Sequence, residues 1–222
     1  MLLAQNHLKI IINWRKTDGA SNLGTLGLFL SYKRRQSYSR IINEARVTHS
    51  KIAVIGGSGI YEIDGLENAS WTSVETPWGA PSDQLLTGTL GGVEMVFLPR
   101  HGRGHVHSPS TVPYLANIDA LKRVGVTDVI SVSACGSFRE EMAPGDFVIV
   151  DQFIDRTSAR VKSFFGSGCV AHVSVAHPTC PRLSKACFTA AKDAGINVHN
   201  HGTYLAMEGP QFSTLAESKM YR

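Results

Sequence analysis

No window of this sequence holds the roughly 20 consecutive apolar residues that a helix needs to cross a bilayer, so a membrane partner is not expected. Cysteine is scarce. Cys135, Cys169, Cys180 and Cys187 form no C-x-x-C pair, which argues against zinc-ribbon and dithiol-redox spacings and leaves reduced thiols in a cytoplasmic protein as the expectation. No internal repeat or low-complexity tract is present. Charge is also thin: 18% of the 222 residues are charged and 43% are hydrophobic, which suits one globular α/β domain with a full core.

Acidic residues are nearly missing from the first fifty positions. Eight of the 22 Lys and Arg residues lie there against two acids, Asp18 and Glu44, so the formal charge of +4 comes wholly from this segment. The body after Ser50 is slightly acidic, and a nucleic-acid partner is not expected. Residues 1–50 read as an atypical basic extension, either an organelle transit segment or a poorly ordered stretch from an unused upstream start. The second reading is carried forward, with residues 51–222 as the domain.

That domain opens on Lys51 to Ile60, Lys-Ile-Ala-Val-Ile-Gly-Gly-Ser-Gly-Ile. The apolar run Ile52 to Ile55 predicts a buried strand, and Gly56, Gly57 and Gly59 predict a turn where a Cβ would clash. Successive backbone N–H groups in such a turn, with the Ser58 hydroxyl beside them, make a cradle for a small anion. The dinucleotide fingerprint is not met, because Tyr61 to Gly65 follows in place of a clear helix.

Further apolar runs predict strands at Glu94 to Leu98, Val129 to Val132, Phe147 to Val150 and Thr203 to Met207. Helices are predicted from Pro113 to Val124, with Tyr114, Ile118 and Leu121 inward, and from Pro181 to Ala194, with Leu183, Cys187, Ala190 and Ala194 inward. Ser213 or Thr214 reads as the N-cap of a last helix. No closing strand follows it, so a chain lacking its C-terminal part is expected.

In an open α/β sheet ligands collect beyond the carboxyl ends of strands. Three such ends are polar here: the glycine turn, Arg100-His101-Gly102, and Ser133-Ala134-Cys135-Gly136. A glycine cradle, a guanidinium that grips an oxyanion bidentately, an imidazole and a hydroxyl together predict a phosphate site. His101, His105 and His107 have spacings that suit a metal, but Arg100 and Arg103 would repel a cation, and no metal site is expected. The Arg-His-Gly triplet is also similar to that of histidine phosphatases, where it usually ends the first strand of the domain.

Several motifs now recur in one order: Ile55 to Gly59, Glu75-Thr76-Pro77-Trp78-Gly79-Ala80-Pro81-Ser82-Asp83, Arg100-His101-Gly102, Tyr114 to Ile118, Ser133 to Ser137, Pro144-Gly145-Asp146, Asp151 to Thr157, and Glu208-Gly209-Pro210-Gln211-Phe212-Ser213. Together they resemble the trimeric purine nucleoside phosphorylases, and within them the 5′-methylthioadenosine phosphorylases of bacterial type. The resemblance runs from about Lys51 to the last residue. It implies a nucleoside phosphorylase-like α/β fold with a mixed central sheet flanked by helices. It also implies phosphorolysis of methylthioadenosine to adenine and 5-methylthioribose 1-phosphate, with inorganic phosphate as co-substrate, no cofactor and a homotrimer.

By the same resemblance Ser58, Arg100, His101, Ser133 and the Ala134 backbone hold phosphate. Phe212 covers the nucleoside, and Ser213 favours a 5′-methylthio group over a free hydroxyl. An Asn-Met-Thr segment and an acidic motif complete the pocket in the family, the acid serving the purine, and neither is found in this sequence. No catalytic acid is therefore assigned, and little or no turnover is expected of these 222 residues. The alternatives are a methylthioinosine or 6-oxopurine nucleoside phosphorylase, or an inactive phosphate-binding chain.

Overall fold

The computed structural model describes residues 8–15, 50–57 and 63–222. Its centre is a mixed sheet of eight strands in the order β3-β4-β5-β2-β6-β1-β7-β9. The strands are β1 (Leu8–Arg15), β2 (Lys51–Gly56), β3 (Glu67–Thr72), β4 (Leu85–Leu90), β5 (Val93–Pro99), β6 (Asp128–Cys135), β7 (Phe147–Ile149) and β9 (Val198–His199). A second, two-stranded sheet pairs β8 (Gln152–Asp155) in parallel with β10 (Thr203–Ala206). The helices among the described residues are α1 (Tyr114–Arg123), α2 (Pro181–Asp193) and α3 (Leu215–Tyr221).

The middle of the sheet follows from composition. β2 pairs in parallel with β5 on one side and β6 on the other, and parallel strands covered on both faces read as nearly continuous apolar runs. Ala53, Val96, Leu98 and Val129 from these strands pack with Leu85, Val126 and the α1 residues Ala120 and Leu121 into the main core. A smaller cluster, Val148 and Val150 with Cys135, Met142 and Tyr204 against them, lies near the second sheet. β4 and β5 form a hairpin through Gly91 and Gly92, whose φ values of 56° and 81° suit a turn that favours glycine at both central positions.

Three features depart from the sequence reading. β3, β4, β8 and β9 are additional strands; β3 is mostly exposed and has no apolar run to announce it. The inward stripe of α2 is Leu183 and Ala191 with half-buried Cys187 between them, whereas Ala190 and Ala194 are exposed. A spacing of four keeps that stripe over β1, β7 and β9, which α2 contacts. Finally, the basic extension is not wholly apart from the domain. Leu8–Arg15 lies inside the sheet, antiparallel to β6 through eight paired positions and parallel to β7 through three. The Leu8 to Ile12 run is rich in the β-branched residues that suit a strand. The rest of the extension lies outside the described residues.

Leu98 is fully buried one residue before the end of β5. Leu98→Ala should therefore lower the unfolding free energy by about 3 kcal/mol, through lost burial and the cavity left behind. A fall in the urea midpoint at unchanged slope would register it.

Candidate phosphate-binding site

β5, β2 and β6 run side by side in one direction, and their registers bring Pro99 level with Gly56 and Ile55 level with Ser131. The residues that follow β5 and β2 are thereby delivered to one edge, beside Ser133 and Ala134, which lie within β6 and not after it as the sequence suggested. Arg100 is the link. Its backbone N–H donates to the carbonyl of Gly56 (2.8 Å), fixing the end of β5 to the end of β2. Its Nη1 donates to Ser133 Oγ (2.5 Å) and to the carbonyl of Val132 (3.3 Å), fixing both to β6. Nη2 stands 4.0 Å from where a Cβ on Gly57 would lie. That gap is ordinary contact distance, so Gly57 keeps the backbone uncovered; it does not relieve a clash.

His101 completes the group. Arg100 Nε donates to His101 Nε2 (3.2 Å), which makes that nitrogen the acceptor and leaves Nδ1–H to donate to the carbonyl of His107 (2.8 Å). Burial pushes the His101 pKa below its ordinary value, the bond to His107 opposes that, and the Arg100 charge adds to the lowering. A neutral imidazole accepting from a guanidinium is the state this geometry selects.

The loop from His101 to His107 has little freedom. Gly102 has φ of +72°, and a Cβ there would meet the Ser82 carbonyl oxygen at 2.8 Å, so only glycine fits. On the outer side Asp83 accepts from the Arg103 backbone N–H (2.7 Å), from Nε (3.0 Å) and from Nη2 (2.9 Å), while the Arg103 guanidinium lies over Trp71. His101 and His105 stack with ring centroids 4.6 Å apart and planes at 17°. Among the described residues no group of three His, Cys, Asp or Glu is arranged to hold a metal ion.

Arg100, His101 and Ser133 are thus brought together, with Ala134 exposed at the strand end beside them. Ser58 lies outside the described residues. Phe212 is 87% exposed, and Ser213 Oγ lies 2.7 Å from Ser218 Oγ. Ser213 precedes Thr214, which caps α3 in a reciprocal box with Glu217. Cys135 is close by, but burial raises its thiol pKa to about 11, so it is no nucleophile at neutral pH.

Sequence reasoning missed a second polar cluster. Glu208 accepts from the backbone N–H groups of Ser158 and Ala159, and Asp155 from the N–H and hydroxyl of Thr157 and from Lys162. The Asp151 to Thr157 and Glu208-Gly209-Pro210 motifs supply its residues, but nothing in their spacing showed that they meet.

The guanidinium of Arg100, an uncharged imidazole that holds it, a hydroxyl and open glycine backbone lie at one edge, a set of groups whose chemistry suits an anion. Residues 51–222 match the phosphorylase superfamily. The S-methyl-5′-thioadenosine phosphorylase of Cereibacter sphaeroides is 78% identical over 171 residues, which is 77% of this chain and 59% of that protein. That of Hyperthermus butylicus is 53% identical over 171 residues, 77% of this chain and 62% of that protein. Among solved structures, a methylthioadenosine phosphorylase from an antarctic soil metagenomic library superposes with a TM-score of 0.73 at 47% identity, covering 78% of this chain and 62% of that one. The Schistosoma mansoni methylthioadenosine phosphorylase in complex with adenine superposes with a TM-score of 0.73 at 37% identity, covering 78% of this chain and 70% of that one. The chain spans about three fifths of the length of the curated relatives it matches. Through residues 51–222, the chain belongs to the phosphorylase superfamily.

Proposed function

We propose that the site holds inorganic phosphate for the phosphorolysis of S-methyl-5′-thioadenosine. A phosphate oxygen attacks the anomeric carbon of the ribose as the bond from that carbon to the purine nitrogen breaks. The bonding pair leaves with the purine, which takes up a proton; the products are adenine and 5-methylthioribose 1-phosphate. The transition state resembles an oxocarbenium ion, so a positioned dianion serves as nucleophile and as countercharge to the developing cation.

The observation that carries this reading is the Arg100 bridge across β5, β2 and β6, in a chain 78% identical over 171 residues to a methylthioadenosine phosphorylase. Arg100 would meet the phosphate through Nη2, its Nε and Nη1 already donating to His101, Val132 and Ser133; the Ser133 hydroxyl, the Ala134 N–H and Ser58 would complete the cradle, with His101 holding the guanidinium in place. Phe212 and Ser213 would meet the nucleoside, Ser213 beside its 5′ substituent. No cofactor beyond the co-substrate phosphate is called for. The setting proposed is the cytoplasm; among the described residues no helix is long and apolar enough to cross a membrane.

A homotrimer is proposed as well. It is supported by exposed Phe153, Ile154, Val161, Phe164 and Phe165, since exposed apolar patches of this kind mark association surfaces. Sedimentation should give three times the 24.1 kDa chain mass; a lone chain at micromolar concentration would count against it.

Arg100→Lys should weaken phosphate binding by about tenfold and Arg100→Ala by about a hundredfold, because a point charge replaces the planar fork and then nothing does. Calorimetric titration with phosphate reads both. Slow adenine release from methylthioadenosine should require phosphate and disappear in Arg100→Ala, with methylthioinosine compared alongside. Phosphate binding indifferent to Arg100 would overturn the reading.

The imidazole gives a separate check. Because the folded-state pKa of His101 is lowered from 6.5, the unfolded chain takes up its proton first as pH falls. Its contribution to stability is therefore full above pH 6.5 and lost as pH drops towards the folded value. Imidazole nitrogen NMR should show the Nδ1–H tautomer at neutral pH and a midpoint below 6.5.

A further inference from the structure

We propose that Glu208 is a positioning residue that couples the strap bearing Phe212 and Ser213 to the loop leaving the phosphate edge. This inference rests on the reading that Phe212 and Ser213 meet the nucleoside. Three chain segments converge on the one side chain. From the turn after β8, the backbone N–H groups of Ser158 and Ala159 donate to Oε2, the latter at 3.0 Å. From the loop that follows His107, the Ser110 hydroxyl donates to Oε1 at 3.0 Å. The third segment is the strap itself, with three residues between Glu208 and Phe212.

The clasp is reciprocal. Arg160, on the turn that Glu208 binds, reaches back to donate through Nη2 to the carbonyls of Glu208 (3.0 Å) and Met207 (3.3 Å). Its Nε lies 3.7 Å from Glu208 Oε1 and is buried without a hydrogen-bond partner of its own, so it answers the carboxylate by charge alone. The Arg160 guanidinium also lies 5.5 Å from the ring centroid of Tyr114, whose hydroxyl donates to the carbonyl of Pro109 (2.6 Å). Every group directed at the Glu208 carboxylate is therefore a donor or a cation, which an acceptor-only side chain suits and an amide does not. The N–H groups of Ala159 and Ser158 hold its pKa down at about 2, so it stays ionised at neutral pH.

Pull on any of the three segments is passed to the other two. The Ser110 loop begins where His107 ends, and His107 is the residue whose carbonyl fixes the ring of His101. Glu208 thereby sets where the strap stands relative to the phosphate edge without touching either reactant.

Hydrogen exchange on the full 222-residue chain tests this directly, together with binding of phosphate and of methylthioadenosine. Glu208→Ala should speed amide exchange at Ser158 and Ala159 and also at Gln211 to Thr214, each by about tenfold or more, as expected for loss of charge-assisted hydrogen bonds. It should weaken methylthioadenosine binding by about tenfold and leave phosphate binding within about twofold. Glu208→Gln, which keeps the shape and one acceptor, should recover part of both effects. Ser110→Ala supplies the milder lesion if Glu208→Ala does not fold. Faster exchange at Ser158 and Ala159 with the strap unchanged would overturn the coupling, as would an equal loss of phosphate and nucleoside binding. If the unaltered chain binds no methylthioadenosine, the nucleoside reading fails while the exchange measurements still decide whether Glu208 holds the strap.

Discussion

A strand that ends in a sheet leaves its next residue unsupported, and here β5 and β2 end level with each other while β6 runs on beside them to Cys135. The Pro99-Arg100 corner resolves that difficulty. The Arg100 backbone closes onto Gly56 and its guanidinium closes onto Val132 and Ser133, so one residue ties the ends of β5 and β2 to the flank of β6. The side chain of Leu98 is sealed in the core below the corner, and beyond it the Gly102 backbone lies so close to the Ser82 carbonyl that no side chain fits between them. The guanidinium is held before any ligand arrives, which spares the ordering cost that a flexible cation would bear on binding.

A division of labour in polarity follows. The Arg100 edge presents cationic and hydroxyl groups and is backed by a histidine kept neutral, whereas the turns further out are held by carboxylates. Asp155 binds Thr157 and Lys162 and has its pKa lowered to about 2, chiefly by the Lys162 and Thr157 bonds; Glu208 sits in a donor nest of its own. Carboxylates whose oxygens are committed to backbone N–H groups and cations neutralise locally, and they draw little from the field of an anion bound elsewhere.

What could be read from the sequence divides along the same lines. β2, β5 and β6 were legible because strands buried on both faces have to be apolar throughout, and the polar clusters at their ends were legible because parallel topology sends such ends to one edge. The Arg100–Ser133 pair could therefore be expected although 33 positions separate them. β3 could not, since Glu-Asn-Ala-Ser-Trp-Thr shows no apolar face and is set by pairing with β4. Nor could the Glu208 contacts, which join residues 50 and 98 positions apart and have no local periodicity to betray them. The strand at Leu8–Arg15 had a β-prone run, but the basic composition around it outweighed that run.

That strand has a consequence for handling the molecule. β1 lies outside the span that matches the superfamily, yet it stands between β6 and β7, both of which lie inside it. Peel it away and two rows of main-chain donors and acceptors open in the interior of the sheet, one of them running through Ser133 and Ala134. Such a cleft is an adhesive seam, a template onto which any extended peptide, another copy of the chain included, can zip.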